Sequence, residues 1–171
     1  HGRGIFTAVV PNVTTPDINF SSGTSSVSEQ STSSSGCTSY TDITVNMTIA
    51  NAPVGNAMVI LNLKPGNTAM EGLDFDYTTN GDFSAPSHSL TFTSGSTANK
   101  SITVRIYNDA EIETSESFTL QYSLSGTTDA QAGSNYQEHL FSIIDNDIAP
   151  TAGSIATIAT ATYILGNSRG A

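Results

Sequence analysis

The side chains able to do chemistry in this 171-residue chain are chiefly carboxylates, and they are clustered. Asp74 and Asp76 stand in Gly72-Leu73-Asp74-Phe75-Asp76-Tyr77. Asp109, Glu111, Glu113 and Glu116 follow a hydrophobic segment that ends at Tyr107. Asp145 and Asp147 follow another, in Ile144-Asp145-Asn146-Asp147, and Glu29 ends a short segment from Ser26. Carboxylates brought close together repel strongly at low effective dielectric, and some must protonate unless a cation neutralises them. Ca²⁺ takes ~6–8 oxygens at roughly 2.3–2.6 Å and suits such loops better than Mg²⁺, which demands a strict octahedron and keeps its water. Zn²⁺ asks for His or Cys ligands, and His88, His139 and Cys37 each stand alone. Neither Asp74-Phe75-Asp76 nor Asp145-Asn146-Asp147 continues as an EF-hand loop. Spacing alone leaves two readings open, a cation site and a set of solvated acidic loops.

Other chemistries find less support. Cys37 has no partner for an intramolecular disulfide. Thr93-Ser94-Gly95-Ser96-Thr97 reads as a turn rather than a nucleophile elbow. Paired acids are also a glycosidase ingredient, but the chain has no Trp to stack a sugar. The expectation is a protein that is not an enzyme. Five Lys and Arg against fifteen Asp and Glu give a net charge of −10. Phosphate contact needs a basic face, so a nucleic-acid partner and anionic lipid are both excluded.

These acids must be held by strands. Hydrophobic residues make up 37% and charged residues 12%. Ordinary domains have roughly 45–50% (a count that includes Gly) and 25%. Ser, Thr, Asn and Gly fill the gap, which suits strands and turns in an extracellular, all-β chain. Ile43, Val45, Met47 and Ile49 alternate with polar or small residues, the period of a half-buried strand. Ile102, Val104 and Ile106 alternate likewise, as do Phe118, Leu120, Tyr122 and Leu124. Segments at 26–29, 58–63, 90–92 and 140–144 bring the count to seven. Seven short strands without helical periodicity predict a two-sheet antiparallel sandwich over residues 24–148, with its loops gathered at two ends. If the acidic loops share one end, six or seven carboxylates converge there. Residues 1–23 and 149–171 read as arms, each with an apolar strand candidate, Ile5–Val10 and Thr162–Leu165. An unpaired strand can add to another chain, so the arms are expected to join neighbouring modules or subunits, or to belong to adjacent domains. No run of 18 apolar residues exists, so no membrane-inserted helix is expected. The opening at His1, with no signal-peptide pattern, reads as a processed or excised start.

The ordered set Gly72-Leu73-Asp74-Phe75, Leu90-Thr91-Phe92, Ile102-Thr103-Val104-Arg105-Ile106, Asn108-Asp109, Glu113-Thr114-Ser115-Glu116-Ser117-Phe118 and Ile143-Ile144-Asp145-Asn146-Asp147 resembles the Calx-beta family. The resemblance covers residues 24–148. It implies an immunoglobulin-like sandwich that binds Ca²⁺ at one end, as the sodium–calcium exchanger members do. Carried over by position, the implied metal ligands are Glu29, Asp74, Asp109, Glu113, Glu116, Asp145 and Asp147. Asn108 and Asn146 stand where Ca²⁺-rich members have Asp, and Ala110 replaces a third acid, so the resemblance implies one or two ions rather than a packed cluster. The Ser/Thr/Asn-rich style is similar to Calx-beta modules of large secreted bacterial surface proteins. It implies a non-enzymatic adhesion or filament module at the cell surface. The alternatives are an accessory, carbohydrate-binding domain of a secreted enzyme and a metal-free spacer.

Overall fold

Alternation of apolar and polar residues dictates most of the observed structure. The protein is represented by a computed structural model that describes residues 14–30, 33–35 and 38–149. The strands are β1 (Asp17–Phe20), β2 (Thr24–Ser28), β3 (Ser33–Ser35), β4 (Thr38–Ile49), β5 (Ala57–Leu63), β6 (Phe75–Thr78), β7 (Ser89–Phe92), β8 (Lys100–Asn108), β9 (Glu116–Ser125), β10 (Gln131–Ala132) and β11 (Glu138–Ile144). One sheet runs β10-β1-β4-β8-β6, with β3 also on β4, and the other runs β2-β11-β9-β5-β7. The architecture is the expected all-β sandwich. The described residues contain no helix, and so none long and apolar enough to cross a membrane.

All seven expected strands form, as β2, β4, β5, β7, β8, β9 and β11. Four others escaped the sequence reading. The most consequential is β1, inside the segment read as an arm. Ile18 and Phe20 are buried in the core, and β1 pairs antiparallel with the end of β4. The sandwich therefore includes Asp17–Phe20, ahead of the expected boundary at residue 24. The pairing is also not wholly antiparallel, since β2 runs parallel to β11 and β1 parallel to β10. The strand candidates Ile5–Val10 and Thr162–Leu165 lie outside the described residues, as does Cys37.

The core sits between the sheets. Val45, Met47 and Ile49 from β4 and Ile102, Val104 and Ile106 from β8 face Ala57, Val59 and Leu61 from β5 and Phe118 and Leu120 from β9. The apolar run in β5 alternates after all, with Met58 turned to solvent. Phe75, Phe118 and Phe141 form a ring stack across the gap. Phe75 lies 3.5 Å from Phe118 and Phe118 lies 4.5 Å from Phe141, centroid to centroid. On the outer face of the first sheet, Arg105 makes two 2.8 Å bonds to Asp42 and lies 3.6 Å over the Tyr40 ring. Such a bidentate, stacked arrangement favours Arg over Lys.

Candidate metal centre

Strand directions decide where the acids go. Because β2 and β11 are parallel, Glu29 and Asp145 leave them at the same end, and the Glu29 amide donates to the Ile144 carbonyl at 3.0 Å. β9 is antiparallel to β11, so its start at Glu116 pairs with Ile143 near that end. β8 finishes there too, and β6 begins beside it, with Phe75 opposite Ile106. Asp74 is thereby fixed against β8, where its carbonyl accepts from the Tyr107 amide at 3.0 Å. The turn ahead of Asp74 is closed by the Asp74 amide on the Met70 carbonyl, 2.9 Å, and by the Met70 amide on Asp74 Oδ2, 2.6 Å. Gly72 has φ +84° in this turn, a conformation costly for any other residue, which accounts for the Gly in Gly-Leu-Asp-Phe.

The acidic loops thus share one end of the sandwich and form two groups. Glu29, Asp145 and Asp147 each offer an oxygen, all within 4.8 Å of one another, and Asp74, Glu113 and Glu116 do the same. The groups adjoin, since Asp145 Oδ2 accepts the Glu113 amide at 2.8 Å. Six of the seven ligands expected from sequence are brought together in this way. Asp109 belongs to neither group, although its charge acts on both Glu29 and Glu113. Asp76 is diverted, accepting from the Tyr107 hydroxyl at 2.6 Å, and Glu111 is exposed. Asn108 and Asn146 are more than missing acids. The structure gives them a bracing role: the Asn146 amide donates to the Glu29 carbonyl and reaches Asn108 Oδ1 at 3.4 Å. Nothing in strand periodicity signals such a loop-to-loop bond.

A family model described as Calx-beta domain matches residues 14–147. The chain belongs to the Calx-beta family. Among solved structures the Calx-beta domain is similar to an apo-form Calx CBD1 domain, at 18% identity and TM-score 0.56, covering 78% of this chain and 100% of that one. It is similar to the calcium binding domain CBD12 of CALX1.1, at 18% identity and TM-score 0.55, covering 76% and 44%. It is also similar to a putative carbohydrate binding protein from Bacteroides ovatus ATCC 8483, at 11% identity and TM-score 0.53, covering 75% and 37%. The chain spans the whole of the first and less than half of the other two, and at such identities the likeness is one of fold. Among curated proteins none matches the chain.

The electrostatics of this Calx-beta end are those of excess negative charge. Burial first, then the charges of Asp109, Asp145, Glu113 and Asp147, push the Glu29 carboxyl up to about 7. Burial, a hydrogen bond with Asp74 and the charges of Asp74 and Glu113 push Glu116 up to about 7. Glu113 is raised as well, by burial and then by Asp74 and its other acidic neighbours. The ion pairs among the described residues are Lys64–Glu138 and Arg105–Asp42, so within them no basic side chain neutralises either group. Glu29 Oε2 and Asp147 Oδ2 are buried without a hydrogen-bond partner. A buried carboxylate oxygen without a partner is costly, and an all-oxygen, strongly anionic set fits a hard divalent cation.

Among the described residues neither imidazole belongs to a carboxylate group. His139 is fully buried; its Nδ1 donates to the Ser22 carbonyl at 2.7 Å, so Nε2 accepts from the Ser25 hydroxyl at 2.8 Å. Burial holds its pKa below the ordinary value. His88 stacks on Tyr77 at 4.2 Å.

Proposed function

We propose that this domain is a non-enzymatic, extracellular structural and adhesion module of a bacterial surface protein or filament, stiffened by Ca²⁺ at its carboxylate end. One or two ions would be held by Glu29, Asp145 and Asp147 and by Asp74, Glu113 and Glu116, with Asp109 adding charge. The observation that carries this reading is the pair of buried, partnerless oxygens on Glu29 and Asp147, set among further carboxylates. An ion at Glu29, Asp145 and Asp147 would tie the ends of β2 and β11 within one sheet, and an ion at Asp74, Glu113 and Glu116 would tie the turn before β6 to the start of β9 and so join the two sheets. A relative in fold is described as a calcium binding domain, which accords with this role.

Thermal unfolding in EDTA, then in millimolar Ca²⁺, with Mg²⁺ as control, tests the reading. A ligand that binds only the native state at a hundredfold excess over its Kd adds ~2.7 kcal/mol, or roughly 5–10 °C for a domain of this size. A Ca²⁺-specific rise of that order, lost in Asp74→Ala or Glu113→Ala, is expected. No rise with any divalent ion would leave a metal-free spacer.

The partners would be neighbouring modules or subunits, joined by strand addition through the arms. The apolar pattern Ile5-Phe6-Thr7-Ala8-Val9-Val10 supports this, because an unpaired strand offers donors and acceptors to another sheet edge. Deletion of residues 1–11 should shift the protein to smaller species on size-exclusion chromatography with light scattering. An unchanged assembly would exclude that arm as the joint.

A further inference from the structure

We propose that the domain carries a second binding site, for a neutral carbohydrate, in the cavity beneath Tyr136 at the opposite end of the strands. The site goes beyond the cation reading and does not depend on it. Gly23 precedes β2 and Glu29 follows it, so six residues, or roughly 20 Å, separate the two places. The cavity measures about 550 Å³, within the ~300–1,000 Å³ of small-ligand sites.

Tyr136 is a rigid platform. Its ring lies against Gly23, where an added Cβ would meet Cδ1 at 2.8 Å, so only glycine lets the ring sit there. Its carbonyl accepts from the Phe20 amide at 2.8 Å. The loop around it is pinned at the Asn135 amide by Asn19 Oδ1, 3.2 Å, and by Gln137 Nε2 on the Gly133 carbonyl, 2.7 Å. Half of Tyr136 nevertheless remains exposed. A half-exposed aromatic with its backbone fixed offers contact area at little entropic cost.

The rest of the lining selects the ligand class. Asn135, Gln137, Thr119 and Ser134 supply amide and hydroxyl groups that both donate and accept. Glu138 is the acid in the lining, and Lys64 holds it at 2.8 Å, so the pair leaves no net charge for an ionic ligand. An aromatic face beside uncharged two-way hydrogen-bonding groups complements a pyranose, which has apolar C–H faces and a rim of hydroxyls. This chemistry agrees with the accessory-binding alternative left open by the sequence.

The test is an NMR titration of the isotope-labelled chain, in EDTA, with cellobiose, maltose, lactose and diacetylchitobiose as probes. At least one is expected to shift the amides of Gly23, Thr119 and Tyr136, with a Kd in the millimolar range. Tyr136→Ala should weaken binding roughly 5–10-fold, the worth of one aromatic contact. Gly23→Ala, by displacing the ring, should weaken it several-fold without altering Ca²⁺-dependent unfolding. No shift from any of these sugars at concentrations well into the millimolar range would overturn the proposal, as would shifts confined to other surfaces. EDTA keeps this outcome separate from that of the cation site.

Discussion

Glu29→Gln is expected to stabilise the metal-free protein near neutral pH and to remove much of its response to Ca²⁺. Glu29 is almost fully buried, one of its oxygens has no partner, and Asp109, Asp145, Glu113 and Asp147 all act against its charge. Gln keeps the volume and removes the charge, relieving ~1–2 kcal/mol, or roughly 2–6 °C, in EDTA. With Ca²⁺ present the same change deletes a charged ligand, so the Ca²⁺-induced rise should fall by half or more. Relative to wild type the variant should therefore melt higher in EDTA and lose most or all of that advantage in Ca²⁺. A purely structural glutamate would leave the Ca²⁺-induced rise intact, and a wild-type Ca²⁺ response in Glu29→Gln would take Glu29 out of the ligand set.

The pH dependence of the metal-free protein follows from the same groups. Glu29 and Glu116 titrate near 7 when folded and near 4.5 when unfolded. Between those values the native state binds protons that the unfolded chain has released, so stability falls as pH rises through that window. His139 acts with the opposite sign: its pKa is lowered, so the stability it contributes is present above 6.5 and is lost as pH falls. With Glu113 also raised, three carboxyls oppose one imidazole, and the EDTA-treated protein should melt higher at pH 5 than at pH 7.5. In Glu29→Gln the difference should shrink.

Phe118→Ala is expected to cost ~3–5 kcal/mol, a large share of the ~5–15 kcal/mol that a domain of this kind possesses. Phe118 is fully buried and sandwiched between Phe75 of one sheet and Phe141 of the other. Truncation leaves a void that both neighbours border, and the remaining rings cannot close it without moving their strands. The measurement is urea unfolding, read as a lower midpoint with an unchanged slope. Because Glu116 lies two residues before Phe118 and Asp74 immediately before Phe75, the void should also weaken Ca²⁺ binding. A loss below ~1 kcal/mol would mean that the core closes over the missing ring, contrary to a rigid stack.

Much of this molecule was legible in its sequence. Alternation at Ile43–Ile49, Ile102–Ile106 and Phe118–Leu124 specified strands, because a two-residue period can bury one face only in an extended chain. The limit of that signal shows at β1 and β10, which are short and flanked by polar residues, so that Ile18 and Phe20 fall within a segment that reads as an arm. Their burial depends on β4 and β10 arriving from distant parts of the chain. The candidate ligands came from the resemblance to the Calx-beta family, since spacing alone fits solvated acidic loops equally well; six of the seven lie in the two groups and Asp109 in neither.

Their partition into two groups was decided by tertiary structure alone. It follows from the parallel pairing of β2 with β11, which delivers Glu29 to Asp145 and Asp147, and from the antiparallel pairing of β6 with β8 and of β9 with β11, which delivers Asp74 to Glu113 and Glu116. Strand direction is a property of long-range pairing, and no local pattern encodes it. The same holds for the Asn146–Glu29 brace and for the Tyr136 platform on Gly23, whose partners are separated by more than a hundred residues. The sequence by itself determined which residues alternate, which turn and which carry charge, because those are properties of neighbours along the chain. Only the folded sandwich decided which of them meet, because contact between its loops is set by how the sheets close.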